Sequence, residues 1–105
     1  MDLSMMGSNL GLEDKEFVEL VELFLTTAKN DLHNLNEAYL KRDAEKVVES
    51  AHSLKGSSGN LGFKELSRIS NIAEQKANEN DLECFDELME SMGKHIAEIE
   101  ACLVK

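Results

Sequence analysis

The chain contains no proline, and its apolar residues recur at every third or fourth position along its length. Proline interrupts helices, and a repeat near 3.6 residues is typical of an amphipathic helix. No segment alternates with period two for long enough to predict a strand. These features predict an all-α fold, and 105 residues suffice for one domain with one hydrophobic core.

Four long amphipathic helices are predicted. The first runs from about Glu13 to Arg42, with acids in its first turn and bases in its last, as the helix dipole favours. The second begins after Asp43, a suitable N-cap, and ends at Gly62. The third stops in the polar ANEND segment, and Asp81 is predicted to cap the fourth. Their apolar stripes are, in order, Phe17, Leu20, Val21, Phe24, Ala28, Leu32, Leu35 and Tyr39; Val47, Ala51, Leu54, Ser58 and Leu61; Phe63, Leu66, Ile69, Ser70, Ala73 and Ala77; and Leu82, Phe85, Met89, Met92, Ile96, Ile99 and Leu103.

Helices with such stripes and short connections bury them most simply in an antiparallel up-down four-helix bundle. We expect residues 13–105 to form this bundle, and residues 1–12 to be an N-terminal segment that adds a short extra helix or frays. No apolar run has the length of a membrane span, and no signal peptide is recognisable, so no membrane association and a cytoplasmic location are expected. The net charge of −10 disfavours nucleic acid as a partner.

The cysteines and histidines do not form a metal-binding pattern. Cys84 and Cys102 stand singly in apolar segments and are interpreted as buried or half-buried free thiols in a reducing compartment. They have no zinc-like spacing with each other or with His33, His52 or His95, so no metal site is predicted.

The segment AHSLKGSSGNLG, residues 51–62, places three of the six glycines in and just after the second predicted helix. Glycine costs about 0.5–1 kcal/mol relative to alanine inside a helix. On a helical wheel, His52 points about 140° away from the centre of the apolar stripe, towards solvent. Gly56 and Gly59 project within about 40° of His52, and Lys55 lies about 60° from it. Because residues 51–64 hold two lysines and no acid, the pattern predicts a positive, open surface around an exposed imidazole.

An unsupported imidazole on a convex surface lacks the cleft, orienting carboxylate and separate nucleophile of a hydrolase. A histidine that is itself the nucleophile needs only to be neutral and reachable. Lys55 would stabilise an anionic group placed on the ring by about 1 kcal/mol or less, if it is not simply a solvated charge. A phosphoryl group delivered by a second protein fits this chemistry, whereas His33 and His95 are interpreted as ordinary histidines.

The motif resembles the signature of histidine-containing phosphotransfer (HPt) domains. The signature is a histidine, lysine-glycine at +3 and +4, small residues after these and a later glycine, here His52, Lys55, Gly56, Ser57, Ser58 and Gly62. The resemblance covers roughly Glu13 to Leu103. It implies that His52 accepts a phosphoryl group at Nε2 from the aspartyl phosphate of a receiver domain and passes it to another receiver aspartate.

The resemblance also implies roles for the neighbours of His52. Lys55 would contact the phosphoryl group, and Gly56 and Gly59, with Ser57 beside them, would allow close approach of the partner. The partners implied are response-regulator receiver domains and a hybrid sensor histidine kinase. Mg²⁺ is expected on the receiver, so no cofactor is expected on this chain, and a monomer is expected.

Several alternatives remain open from the sequence. Lys64 and Arg68 either contact an acidic partner or are ordinary surface charges. The motif also fits the phosphoacceptor domain of a chemotaxis-type histidine kinase, or a docking module of the same fold whose histidine is not phosphorylated. No nucleotide-binding motif such as GxxxxGK[ST] is present, so the chain is expected to be a phosphocarrier and not a self-sufficient kinase. The absence of a following linker or second domain favours a stand-alone protein or an excised HPt piece.

Overall fold

The computed structural model describes residues 3–103. Over this range the chain forms five α-helices and no strand. The helices are α1 (Leu3–Asn9), α2 (Asp14–Leu40), α3 (Ala44–Asn60), α4 (Lys64–Asn78) and α5 (Phe85–Leu103). Helices α2 to α5 form the predicted bundle, and α1 is the short extra helix. Across residues 3–103, no helix combines the length and apolarity needed to cross a bilayer.

Helices α2 to α5 run antiparallel to their sequence neighbours. The ring of Phe24 on α2 lies 5.2 Å from that of Phe63, just after α3. Further along α2, Asp31 accepts a hydrogen bond of 2.7 Å from Ser53, which comes earlier on α3. Helix α4 packs back along α3, and α5 contacts both α4 and α2. This closes the four-helix arrangement.

The predicted apolar stripes meet in one core. Its buried residues are Phe17, Val21, Phe24, Leu25, Ala28, Leu35, Ala38, Val47, Ala51, Leu54, Phe63, Leu66, Ile69, Ala73, Ala77, Phe85, Met89, Met92, Ile96 and Ile99. The prediction that Leu20 belongs to this core is wrong, because its side chain is 40% exposed. On a helical wheel Leu20 projects about 60° to one side of Phe17, whereas the buried Val21 and Leu25 project to the other side, so Leu20 lies at the edge of the buried face.

The first long helix ends two residues earlier than predicted. Its last residue is Leu40, and Arg42 adopts a left-handed conformation with φ of 56°. Arg42 N–H donates to the carbonyl of Tyr39, and its guanidinium lies 4.6 Å from the centre of the Tyr39 ring. The next residue, Asp43, accepts a hydrogen bond from the backbone N–H of Lys46, which confirms its prediction as the N-cap of α3.

Gly62 ends α3 as predicted. Its φ of 88° is readily adopted by glycine, and its N–H donates to the carbonyl of Gly59. The N–H of Phe63 reaches back to the carbonyl of Ser58, which completes a Schellman motif. The chain therefore reverses within three residues, and α3 and α4 form a tight helical hairpin.

The prediction that Asp81 caps the last helix is wrong. Helix α5 begins at Phe85. The carboxylate of Asp81 instead accepts a hydrogen bond from the N–H of Glu83 and pairs with Lys76, so it stabilises a turn before the helix. Cys84, with φ of 62°, interrupts helical geometry between this turn and α5.

Candidate functional site

Helix α3 presents His52 to solvent. Its side chain is 68% exposed, whereas the neighbouring Ala51 and Leu54 are buried in the core. One turn further along, a Cβ added to Gly56 would have no atom within 4 Å. The wheel therefore predicted correctly that the histidine faces outwards beside open surface at Gly56.

A carboxylate from α4 lies beneath this histidine, and the sequence analysis did not anticipate it. Glu74 Oε2 is 2.8 Å from His52 Nδ1, a hydrogen bond. The other oxygen, Oε1, is 2.6 Å from Lys55 Nζ and forms an ion pair with it. The Glu74 side chain is only 12% exposed. The expectation of an unsupported imidazole on a surface without acids is therefore wrong, because helix packing brings in a carboxylate distant in sequence.

The surroundings of Glu74 keep its carboxylate ionised. The Lys55 ammonium is the largest cause that lowers the pKa of Glu74, and the His52 imidazole lowers it further. Burial acts in the opposite direction and raises it, but the net shift is downwards. Glu74 is consequently an anionic hydrogen-bond acceptor at neutral pH, shared by the histidine and the lysine.

The register of the hairpin explains why Glu74 reaches His52. The two residues lie equally far before and after Phe63, the residue that follows the chain reversal. Residues equally distant from a tight reversal face each other in an antiparallel hairpin. Gly59 and Ser67, the pair one heptad closer to the reversal on each helix, are also in contact. Counting equal numbers of residues outwards from Phe63, the residue after Gly62, would have been the sequence signal for this carboxylate.

Gly59 differs from Gly56 in its surroundings. A Cβ at Gly59 would lie 3.2 Å from Ser67 Oγ, so Ser67 would have to shift by a few tenths of an ångström. Ser67 Oγ itself donates a hydrogen bond of 3.1 Å to the carbonyl of Lys55. The prediction that both glycines leave open space therefore holds for Gly56 and is wrong for Gly59, which allows α4 to pack closely against α3.

Two serines near His52, Ser53 and Ser57, form hydrogen bonds within the helical bundle. Ser53 Oγ donates to the carboxylate of Asp31, a buried residue of α2 whose pKa is raised by burial more than this hydrogen bond lowers it. Ser57 Oγ donates to the carbonyl of Leu54 on its own helix at 3.3 Å. These bonds fix α3 on α2 and tie Ser57 to the backbone of α3.

Lys64 and Arg68 lie on α4, on the side of Glu74 nearer the chain reversal. They precede Glu74 by ten and six residues, which corresponds to about 15 and 9 Å along a helix. Lys64 is exposed at the first position of α4. Arg68 donates two hydrogen bonds to the carboxylate of Glu65, at 3.1 and 2.9 Å, so its guanidinium is already paired. Neither residue belongs to the cluster of His52, Lys55 and Glu74.

The remaining histidines and cysteines do not assemble into a second centre. His33 is exposed on α2, and His95 lies partly buried on α5. Cys84 and Cys102 form no disulfide; Cys102 is half-buried as predicted, but the prediction is wrong for Cys84, which is exposed in the turn before α5. Among residues 3–103, no three His, Cys, Asp or Glu side chains come together as a group that could hold a metal ion.

The chain is similar to known proteins both in sequence family and in fold. The family model described as Hpt domain matches residues 19–103. Among solved structures, that of histidine-containing phosphotransfer protein B from Pseudomonas aeruginosa PAO1 matches with a TM-score of 0.86 and 25% identity, covering 98% of this chain and 90% of that one. No curated protein sequence matches the chain significantly. Since the family match spans most of the chain and includes the whole His52 motif, the chain belongs to the Hpt domain family.

Proposed function

We propose that this chain is a phosphorelay intermediate in which His52 accepts a phosphoryl group from the aspartyl phosphate of one receiver domain and passes it to the aspartate of another. Membership of the Hpt family and the likeness to a phosphotransfer protein support a histidine phosphotransfer role in phosphorelays. The assignment of this role to His52, and of the direction to receiver-to-receiver transfer, is our proposal.

The observation that carries the proposal is the placement of His52. Its imidazole is 68% exposed on the outer face of α3, with open space over Gly56 and the Lys55 ammonium on the same surface. A partner protein can therefore approach the ring without any rearrangement of the bundle. His33 and His95 have no lysine-glycine pair after them.

Phosphoryl transfer needs only the imidazole of this chain and the aspartyl phosphate of the receiver domain. The lone pair on His52 Nε2 attacks the phosphorus of the aspartyl phosphate, an N–P bond forms, and the P–O bond to the aspartate breaks. The electron pair of that bond leaves with the aspartate as a carboxylate. Delivery to the next receiver is the reverse reaction, in which an aspartate carboxylate attacks the phosphorus and the imidazole leaves.

The other residues of the motif assist access and charge. Gly56 leaves room for the partner surface over the ring, and Lys55 supplies a positive charge for the phosphoryl oxygens. Mg²⁺ and the groups that activate the acyl phosphate are assigned to the receiver domain, and the chain itself to a role without a cofactor. The natural partners in this proposal are receiver domains and, upstream of them, a hybrid sensor histidine kinase.

The test is phosphoryl transfer from a panel of isolated receiver domains, each loaded on its aspartate with radiolabelled phosphate. We expect at least one receiver to label the wild-type chain with an acid-labile phosphoryl group. The label should be absent from His52→Gln and retained in the matched variant His95→Gln. No acid-labile label from any receiver, or equal label on wild type and His52→Gln, would contradict the proposal.

A further inference from the structure

We infer that Asp31 of α2 is a positioning residue for phosphoryl transfer, because its carboxylate holds Ser53, the residue after His52, and so sets the rotation of α3 that presents the imidazole to a partner. This inference rests on the proposed function of His52. It adds to the site a residue outside the histidine motif, on the helix that flanks α3 on the side away from α4, which acts through Ser53.

Asp31 occupies a core position at which an acid is unfavourable. It is 9% exposed, and Ala28 and Leu35, one turn to either side on α2, are fully buried. Leu32, which the apolar spacing assigns to the core, is only half-buried. Burying a carboxylate without a partner is costly, so a carboxylate at this position needs a compensating contact. Ser53 Oγ supplies it by donating a hydrogen bond of 2.7 Å to Asp31 Oδ2.

The Asp31 contact joins two helices, unlike the contacts of the other buried polar side chains. Within residues 3–103, the polar side chains classed as buried are those of Asp31, Ser58 and Ser70. Ser58 donates to the carbonyl of Leu54 at 2.6 Å, within α3. Ser70 donates to the carbonyl of Leu66 at 2.8 Å, within α4. Of these three, Asp31 is therefore the one whose hydrogen bond sets one helix against another.

Helix α3 has few large side chains that could fix its rotation. Over residues 51–60, Leu54 is the one large apolar side chain, and the other buried positions are alanine and serine. Small residues form shallow ridges for helix packing, so polar contacts at the edges of α3 define its rotation. Ser53 and Lys55 lie about 200° apart around the helix, on its two flanks. The bond to Asp31 holds the α2 flank, as the ion pair of Lys55 holds the α4 flank.

The rotation of α3 matters because His52 projects far from the helix axis. Its side chain is 68% exposed and lies at the outer radius of the helix, about 6 Å from the axis. A rotation of about 10° moves a group at that radius by about 1 Å. An error of about 1 Å between reacting groups can slow a reaction by about 100-fold. The bond between Asp31 and Ser53 therefore contributes to transfer from a docked partner, which holds the phosphoryl group at a fixed place, and not to the nucleophilicity of the ring.

The experiment compares Asp31→Ala and Asp31→Asn with wild type in both transfer directions, using the receiver that labels the wild-type chain. Alanine removes the acceptor of the Ser53 hydrogen bond, whereas asparagine keeps an acceptor oxygen. We expect Asp31→Ala to slow transfer by about tenfold, as a misplacement below 1 Å would, and Asp31→Asn to stay within about twofold of wild type. The matched control is Ser70→Ala, which removes a buried hydrogen bond within α4 and should transfer at the wild-type rate.

A small phosphoryl donor separates positioning from a general structural effect. Phosphoramidate diffuses freely to an exposed imidazole and needs no docked partner. We expect it to label Asp31→Ala at the wild-type rate, because the imidazole stays exposed and keeps its contact with Glu74. Urea unfolding of the same variants checks that the bundle remains folded. Slowing of equal size with phosphoramidate and with the receiver would overturn the inference.

A double-mutant cycle tests whether Asp31 acts through Ser53. Ser53→Ala changes an exposed helix position at which alanine is favourable, so it provides a folded variant if Asp31→Ala is unstable. We expect Ser53→Ala to slow transfer as much as Asp31→Ala does, and the double variant to be no slower than either. Additive effects, or wild-type transfer by both single variants, would overturn the inference and leave His52 as the acceptor. A wild-type chain that takes no label from any receiver would instead overturn the proposed function.

Discussion

The α3–α4 surface around His52 and the α5 surface around His95 both place a glutamate near a histidine, but with different geometry. His52 Nδ1 meets the nearly buried Glu74 of another helix at 2.8 Å. His95 Nδ1 lies 3.9 Å from Glu98, a residue of the same helix that is 53% exposed. The His52 ring is therefore open to solvent yet fixed from beneath, whereas the contact of His95 is a weak surface pair. The two exposed contacts therefore differ in how firmly a neighbouring residue orients the imidazole.

The two surfaces also differ in the surroundings of their glycines, Gly56 on α3 and Gly93 on α5. Gly56 faces open space, whereas a Cβ at Gly93 of α5 would lie 3.6 Å from Leu32, in ordinary packing contact with α2. Both lie inside helices, where glycine is unfavourable by about 0.5–1 kcal/mol relative to alanine. At Gly93 an added methyl group would make an ordinary packing contact with α2. At Gly56 no contact within the described part of the chain requires it, which is consistent with a surface that another protein approaches.

Among the substitutions that test the difference between the His52 and His95 surfaces, Gly56→Leu is expected to have the largest effect on phosphoryl transfer. The new side chain should leave the bundle folded, since its Cβ meets no atom, but should block approach to the ring. A displacement of reacting groups by about 1 Å can cost about 100-fold in rate, so we expect transfer to fall by about tenfold to 100-fold. Transfer kinetics and circular dichroism check the two expectations. Gly93→Ala is the control on α5, and wild-type transfer by Gly56→Leu would contradict the role given to Gly56.

A smaller effect is expected from Lys55→Ala. The ammonium is expected to stabilise a phosphoryl group at a partly exposed site, so its loss should cost up to about 1 kcal/mol, which corresponds to at most about fivefold less phosphorylated protein at equilibrium. Lys94→Ala, which removes an exposed lysine just before His95, should have no effect. Equal labelling of the Lys55→Ala and wild-type chains would show that Lys55 does not stabilise the phosphoryl group and only forms the ion pair with Glu74.

The smallest effect is expected on the pH dependence of the free energy of unfolding, measured with Glu74→Gln. Because the folded state lowers the pKa of Glu74, chiefly through Lys55, the ionised carboxylate contributes stability that is present above the ordinary glutamate pKa. This contribution is lost as the pH falls through the lowered value. Urea unfolding of wild type and Glu74→Gln between neutral and acidic pH should show a stability difference that shrinks in acid. A difference independent of pH would contradict the charged pairing.

The sequence predicts those features that depend on local periodicity and turn chemistry. The orientation of His52, the N-cap at Asp43 and the end of α3 at Gly62 all follow from residues within one or two turns. Glu74, by contrast, meets His52 only because the α3–α4 reversal fixes the register of two helices. Gly59 could not be distinguished from Gly56 on a wheel of α3 alone, since the difference lies in Ser67 of α4.

The other differences between the sequence predictions and the structure also arise from contacts that a single helix pattern does not contain. Leu20 has the spacing of a core residue, but it lies at the edge of the apolar stripe, where burial depends on which neighbouring helix covers that side of α2. Asp81 is a good capping residue in isolation, yet its carboxylate bonds two residues ahead and to Lys76. The left-handed conformation of Cys84 then delays the start of α5. No pattern of apolar residues carries information of this kind.

The most direct test is to locate the phosphoryl group in the phosphorylated chain. Combined ³¹P and ¹⁵N NMR of histidine-labelled protein identifies both the residue and the ring nitrogen that bears phosphorus. We predict an N–P bond at His52 Nε2, with the proton retained on Nδ1 towards Glu74. A phosphoryl group on Nδ1 of His52, or on His33 or His95, would contradict the account.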